Sequence, residues 1–185
     1  MKKIINALDK FTDIIGYIAA LAMVLMLLNV SYDVIMRYFF KASSIGMQEL
    51  EWHLFCVVFL FGMAYALKEN GHVRVDMFYD NMKPRNQAII NIIGSVIFII
   101  PFSLIILKGG YAFAHEAYEL GEMSGDPGGL PHRWIIKSAI GASFLFLLIA
   151  TISFILHNIQ TIISCKDDST CIADLKEHSH KEEVL

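Results

Sequence analysis

Four long apolar segments, nearly free of charge, constrain this chain more than any other feature of its sequence. They lie at about residues 14–32, 50–67, 86–107 and 134–156, and their only charged residues are Glu51 and Lys137, near the segment ends. A hydrocarbon core about 30 Å thick is crossed by roughly 20 helical residues, because each residue adds about 1.5 Å. The sequence therefore predicts an all-α integral membrane protein with four transmembrane helices.

The composition of the 185 residues agrees with this fold class and excludes several others. Hydrophobic residues make up 56% and charged residues 18%, whereas soluble domains carry about 25% charged residues. Fifteen Lys and Arg against 18 Asp and Glu give no basic surface for nucleic acid. Three cysteines do not form a disulfide framework.

The segments outside the four spans have different characters. In residues 1–13, Ile4, Leu8 and Phe11 recur at helical spacing, which predicts an amphipathic helix in the membrane surface. A frayed extension of the first span is the alternative. Residues 14–163 form the predicted transmembrane domain. Residues 164–185 are polar and charge-rich, which predicts a disordered tail.

The distribution of Lys and Arg predicts the orientation. Ten of these residues lie on the side of the two termini and five on the side of the other two connections. Cytoplasmic loops carry the excess of positive charge, so both termini are predicted to be cytoplasmic.

Spaced small residues predict where the helices pack closely. Gly16 and Ala20 lie four residues apart in the first span, and Ser138 and Ala142 do so in the fourth. Such pairs let helix backbones approach each other in a membrane. Contacts within the bundle and contacts with a partner subunit both remain open.

Charged residues gather on the predicted outer side. Asp33 and Arg37 are four residues apart at the end of the first helix, where they can pair. Solvated charges at the membrane surface and contacts with a partner are both open interpretations. With two residues of the inner loop included, the candidate partner-contact residues are Arg37, Glu49, Glu51, Arg74, Asp76, Glu119, Glu122, Asp126 and Arg133.

The middle of each span lacks Asp, Glu, Lys and Arg. Ionisable residues inside a membrane commonly bind a substrate or a coupling ion. A chain without them is not expected to transport a charged solute alone. The pattern favours an accessory or scaffold subunit.

Enzymatic motifs are missing as well. His53, His115 and His157 do not place a pair deep inside two spans, as two-histidine haem ligation requires. Cys165 and Cys171 do not have the usual zinc spacing. We predict no enzyme, no cofactor and no metal. A membrane haem or quinone anchor of a redox enzyme is kept as the alternative.

Several motifs resemble those of a known family. They are Arg37-Tyr38, Glu49-Leu50-Glu51, the run GMAYALKENGHVRVD from Gly62 to Asp76, and Leu130-Pro131 followed by Trp134 and Lys137. Over about residues 14–163 the chain resembles the small (Q-type, DctQ-like) membrane subunit of tripartite ATP-independent periplasmic (TRAP) transporters.

The resemblance implies a function for the chain. Such a subunit is expected to scaffold a large M-type membrane subunit and to help dock a periplasmic solute-binding protein. The complex is expected to move an organic acid with sodium across a bacterial inner membrane. The resemblance does not indicate which acid.

Overall fold

The computed structural model describes residues 2–69, 71 and 82–164, and all of its regular elements are helices. We number them α1 Lys2–Phe39, α2 Ile45–Lys68, α3 Pro84–Glu119 and α4 Trp134–Ser164. Residues 72–76, which carry the most specific motif of the sequence, lie outside this description. So does the predicted tail from residue 165 onward.

Each of the four helices is long and apolar enough to cross a membrane. The shortest, α2, has 24 residues and therefore extends about 36 Å. The expectation of an all-helical chain with four candidate spans is confirmed. The helices run past the predicted spans, because polar residues at the ends continue the same helical backbone.

The first helix has no break at residue 13. It is continuous over 38 residues, so the separate N-terminal helix that the sequence predicts is not a distinct element. The start of α1 contains no Gly or Pro that would end a helix. Ile5 and Thr12 are buried, and Ser153 of α4 donates a hydrogen bond to Asp9 at 2.5 Å. A position of residues 1–13 in the membrane surface stays a prediction.

Helix α4 lies at the centre of the arrangement. In the most apolar 18-residue stretch of α4, 44% of the residues are buried, compared with 11% in the corresponding stretch of α3. Helices α1 and α2 pack along each other and both contact α4, whereas α3 packs chiefly against α4. Ala64, Leu67, Phe144, Leu147 and Ala150 form the apolar core between α2 and α4.

Glycines set the closest helix contacts. A Cβ atom on Gly110 of α3 would lie 2.9 Å from the backbone nitrogen of Gly141 in α4. A Cβ atom on Gly16 would lie 2.9 Å from Cγ of Tyr65 in α2. Gly16 therefore lies at a close contact, as the sequence predicts. In α4 a close approach occurs at Gly141, and the hydroxyl of Ser138 donates to the carbonyl of Ile135 in its own helix, so close packing at Ser138 and Ala142 stays a prediction.

A short π-helical stretch, Ser95–Ile99, interrupts α3 just before Pro101. Proline has no N–H, and its ring clashes with the carbonyl one turn earlier. Widening of the preceding turn relieves this clash. The Ile100 N–H accordingly donates to the carbonyl of Ser95, five residues back.

The Gly110 contact yields a first prediction. Replacing Gly110 with Leu should force α3 and α4 apart, because the new Cβ meets backbone that cannot move aside. Overpacking of this kind costs about 1–3 kcal/mol. We expect thermal unfolding of the purified protein in detergent to begin several degrees lower.

Gly109→Leu is the matched control. A Cβ on Gly109 meets no atom within 4 Å, and removing a helical glycine favours the helix by up to about 1 kcal/mol. Equal unfolding temperatures for the two variants would contradict the close approach.

Candidate functional site

Most of the candidate residues lie at one end of the molecule. We call it the two-loop end: α1 ends and α2 begins there, and α3 ends and α4 begins there. The opposite end, with the start of α1 and the end of α4, is the terminal end. The two-loop end is the side that the sequence predicts to be outer.

Both connections at the two-loop end have a left-handed residue at their second position. After α1, Lys41 has φ 51°, and the N–H of Ala42 donates to the carbonyl of Met36 at 3.1 Å. After α3, Gly121 has φ 58°, which glycine adopts without strain. The N–H of Glu122 donates to the Ala117 carbonyl at 3.0 Å, which closes the helix with a Schellman turn.

The carboxylate of Glu49, in the second turn of α2, holds the connection 120–133 in place. It accepts hydrogen bonds from the hydroxyl of Ser124 and from the backbone N–H of Leu130, the latter at 2.6 Å. A guanidinium nitrogen of Arg133 lies 3.4 Å from the same carboxylate. The Glu49 side chain is 14% exposed. We call Glu49, Ser124, Leu130 and Arg133 the Glu49 cluster.

Two glycines let the connection lie close to α2. A Cβ on Gly129 would come within 2.8 Å of a carboxylate oxygen of Glu49. A Cβ on Gly46 would lie 3.2 Å from the carbonyl oxygen of Gly128. A side chain at either position would push the connection away and lengthen the bonds to Glu49.

An ion pair joins the same connection to α4. Lys137, with 16% of its side chain exposed, pairs with Glu122, and its ammonium lies 3.9 Å from the centroid of the Phe113 ring. Cations are attracted to the face of an aromatic ring. The lysine is therefore held by α3 and by the connection, and it helps to close the end of this hairpin.

Helix α1 is tied to α2 by a buried amide. Asn29, which is 7% exposed, donates to the carbonyl of Met47 at 2.9 Å. One turn further on, the buried Asp33 pairs with Arg37, which is about half exposed. The pairing of Asp33 with Arg37 follows the spacing in the sequence.

The structure brings four of the nine predicted residues together around the connection 120–133: Glu49, Glu122, Asp126 and Arg133. Ser44 occupies the N-cap position of α2, but its side chain makes no capping hydrogen bond. Glu49, which the sequence offers only as a candidate partner contact, instead binds the connection 120–133 of this chain.

The other predicted residues do not join this network. Arg37 contacts Asp33 only locally, and Glu51 is partly exposed without an ion pair among the described residues. Glu119 is 68% exposed, 3.7 Å from Nδ1 of His115. Arg74 and Asp76 lie outside the described residues.

Sequence reasoning missed several polar contacts. Ser124 lies in a glycine-rich connection, and the sequence indicates for Lys137 a place near the start of the fourth span but no ion-pair partner. At the terminal end, Lys68 at the end of α2 pairs with Asp13 of α1. Each of these contacts joins residues far apart in the chain, so no local spacing indicates them.

The histidines lie in unlike environments. His53 borders a cleft between α2 and α4, His115 is next to Glu119, and His157 is exposed on α4. In the part of the chain that the structure describes, no three His, Cys, Asp or Glu residues are placed to hold a metal ion.

The cleft between α2 and α4 opens beside the Glu49 cluster and has a volume of about 430 Å³. Acidic, basic, aromatic and apolar side chains line it together. They are Glu49, Trp52, His53, Cys56, Asp126, Arg133, Ile136 and Lys137.

Comparison with known proteins gives a consistent result. A family described as the DctQ component of tripartite ATP-independent periplasmic transporters matches residues 25–161. Two Haemophilus influenzae proteins, both provisionally named TRAP transporter small permease protein, are similar to the chain. One is 29% identical over 158 residues, which is 84% of this chain and 96% of that protein. The other is 25% identical over 179 residues, which is 97% of this chain and 94% of that protein.

The Glu49 cluster yields a second prediction. Glu49→Gln replaces one acceptor oxygen with an amide that donates, so Ser124 and Leu130 can no longer both donate to this side chain. Loss of a hydrogen bond to a charged group changes a local opening equilibrium by about tenfold or more. We expect faster hydrogen exchange of the backbone amides in 122–130.

Glu51→Gln removes a neighbouring carboxylate that takes no part in the cluster, so exchange in 122–130 should stay at its original rate. If Glu49→Gln exchanged like Glu51→Gln, the connection would be held by something other than this carboxylate.

Proposed function

We propose a role for this chain within a transporter, and the proposal starts from its family: the chain belongs to the DctQ component family of TRAP transporters. It is a small permease subunit of such a transporter, a multi-pass membrane protein and not an enzyme. The redox-anchor alternative is therefore set aside. The proposal concerns what the subunit does within its transporter.

The chain acts as a rigid scaffold for the large M-type membrane subunit and does not form a transport site. One observation carries this proposal. The middle of each span lacks Asp, Glu, Lys and Arg, and the two carboxylates that flank the first span, Asp13 and Asp33, are paired with Lys68 and Arg37 of this chain. A site for an anionic substrate or a coupling ion needs polar groups that are free to bind it.

The remaining parts of the assembly are proposed from family membership. The large subunit carries the organic acid and the sodium ions through a bacterial inner membrane. A periplasmic solute-binding protein delivers the acid. Both termini of the small subunit are cytoplasmic, so the two-loop end faces the periplasm, in agreement with the distribution of Lys and Arg.

Reconstitution into liposomes tests the scaffold role. The chain alone should take up no organic acid under a sodium gradient. With the large subunit and the binding protein it should support uptake, and it should co-purify with the large subunit in equal amounts. Sodium-driven uptake by the isolated chain would contradict the proposal.

The two-loop end is proposed to help dock the binding protein, and its exposed charges are the ones available for this. Glu119 and Asp126 are exposed, and Arg37 is about half exposed. Glu122 and Glu49 are less suitable, because their carboxylates already hold the connection 120–133. Exposed charges at the rim of an interface act mainly on the rate of encounter.

Charge reversal tests this docking role. Glu116→Lys combined with Glu119→Lys changes two exposed carboxylates and leaves the Glu49 cluster intact. We expect the initial uptake rate to fall about three- to tenfold when the binding protein is limiting. The rate should recover as the concentration of the binding protein is raised.

Arg85→Glu is the control, since it reverses an exposed charge at the terminal end and should leave uptake unaltered. A cysteine replacing the exposed Gly125, in a background without Cys56, Cys165 and Cys171, checks the orientation. It should react with an impermeant thiol reagent in intact spheroplasts.

The charge-reversal test also has a contradicting outcome. If the variant with Glu116→Lys and Glu119→Lys assembles normally and its uptake is unchanged, these two carboxylates face solvent and do not dock the binding protein.

A further inference from the structure

The cleft between α2 and α4 has features that neither loop attachment nor scaffolding explains. It is about 430 Å³ in volume, within the size range of small-molecule sites. Its lining runs from Asp126 and Arg133 at the connection to Cys56 and Ile136 in the helices. Cys56 lies seven positions after Glu49 in α2, so the cleft extends about 10 Å along the helices.

The charges around the cleft leave one acceptor and several donors unused. Glu49 is occupied by its cluster, and Lys137 is paired with Glu122. The exposed carboxylate of Asp126 forms no ion pair within residues 2–69, 71 and 82–164. Arg133 has five side-chain N–H donors, and its one ion-pair contact is the 3.4 Å approach to Glu49. A ligand with both a cationic and an anionic group fits this arrangement.

An apolar strip continues from the cleft along α2. Trp52 is 71% exposed, and Phe55 and Phe59, three and seven residues further on, are 54% and 62% exposed. These positions share one face of the helix. Tryptophan is enriched where membrane headgroups meet the hydrocarbon. The combination of a dipolar cleft and an apolar strip beneath it is suited to an amphiphile.

We propose that this cleft binds the headgroup of a zwitterionic phospholipid. The guanidinium of Arg133 and the indole N–H of Trp52 donate hydrogen bonds to the phosphate. The carboxylate of Asp126 forms an ion pair with the ammonium group. The acyl chains lie along Phe55 and Phe59. An anionic phospholipid is disfavoured, because it offers Asp126 no cation.

Fluorescence can test this site directly, because the chain has only two tryptophans. Trp134→Phe keeps an aromatic ring against Tyr118 and leaves Trp52 as the single reporter. The full chain is placed in vesicles of an uncharged galactolipid, which offers neither a phosphate nor an ammonium group, with rising fractions of phosphatidylethanolamine or phosphatidylglycerol, each brominated in its acyl chains. The brominated phosphatidylethanolamine should quench Trp52 at about fivefold lower mole fraction than the brominated phosphatidylglycerol.

Asp126→Asn should remove this preference, because the amide carries no charge to face the ammonium. Its backbone can still accept the hydrogen bond from the Gly129 N–H, so the turn is kept. Glu119→Gln is the matched control: it neutralises an exposed carboxylate that lies outside the cleft, and the preference should persist.

Three outcomes would overturn the proposal. The first is equal quenching by both lipids, which indicates ordinary contact with the bilayer. The second is relief of quenching by soluble phosphoethanolamine, which assigns the cleft to a free small molecule. The third is loss of quenching in the complex with the large subunit, which makes the cleft a protein interface.

Discussion

The apolar interior of a membrane offers no hydrogen bonds to a protein backbone, and this requirement determines the architecture of the chain. Each spanning segment has to satisfy its own N–H and C=O groups, so each forms a continuous helix. Polar side chains are then restricted to the helix ends or to contacts inside the bundle. Both appear here: Asn29 is buried against the start of α2, and Glu49 is bound by the connection that precedes α4.

Contacts at both ends of the bundle join the first helical hairpin to the rest. At the two-loop end, Glu49 of α2 binds the connection between α3 and α4. At the terminal end, Ser153 of α4 donates to Asp9 of α1, while the pair of Lys68 with Asp13 ties α1 to α2 within the first hairpin. A helix bundle fastened at both ends resists shear between its hairpins. This property suits a subunit that provides a fixed support for a moving partner.

The sequence predicts the helices well because their determinants are local. Runs of apolar residues give the four candidate spans, and the spacing of Asp33 and Arg37 gives their ion pair. The contact of Glu49 with Leu130 is different, since 81 residues separate the two and only the packing of α2 against α4 brings them together. The close contact of Gly110 in α3 with Gly141 in α4 also depends on packing between helices. The spacing of small residues such as Ser138 and Ala142 indicates a helix face that can pack closely, but not which helix packs against it.

The position of Glu49 also has a consequence for the synthesis of the chain. Its hydrogen-bond donors at Ser124 and Leu130 are translated 75 and 81 residues later. At about 5–20 residues per second, the carboxylate waits roughly 4 to 16 s for them. During that interval water has to solvate it, which is possible in the second turn of a spanning helix, near the membrane surface, and far costlier two turns deeper. The nascent first hairpin can therefore reside in the bilayer with Glu49 hydrated, until the second hairpin replaces water with Ser124 and Leu130.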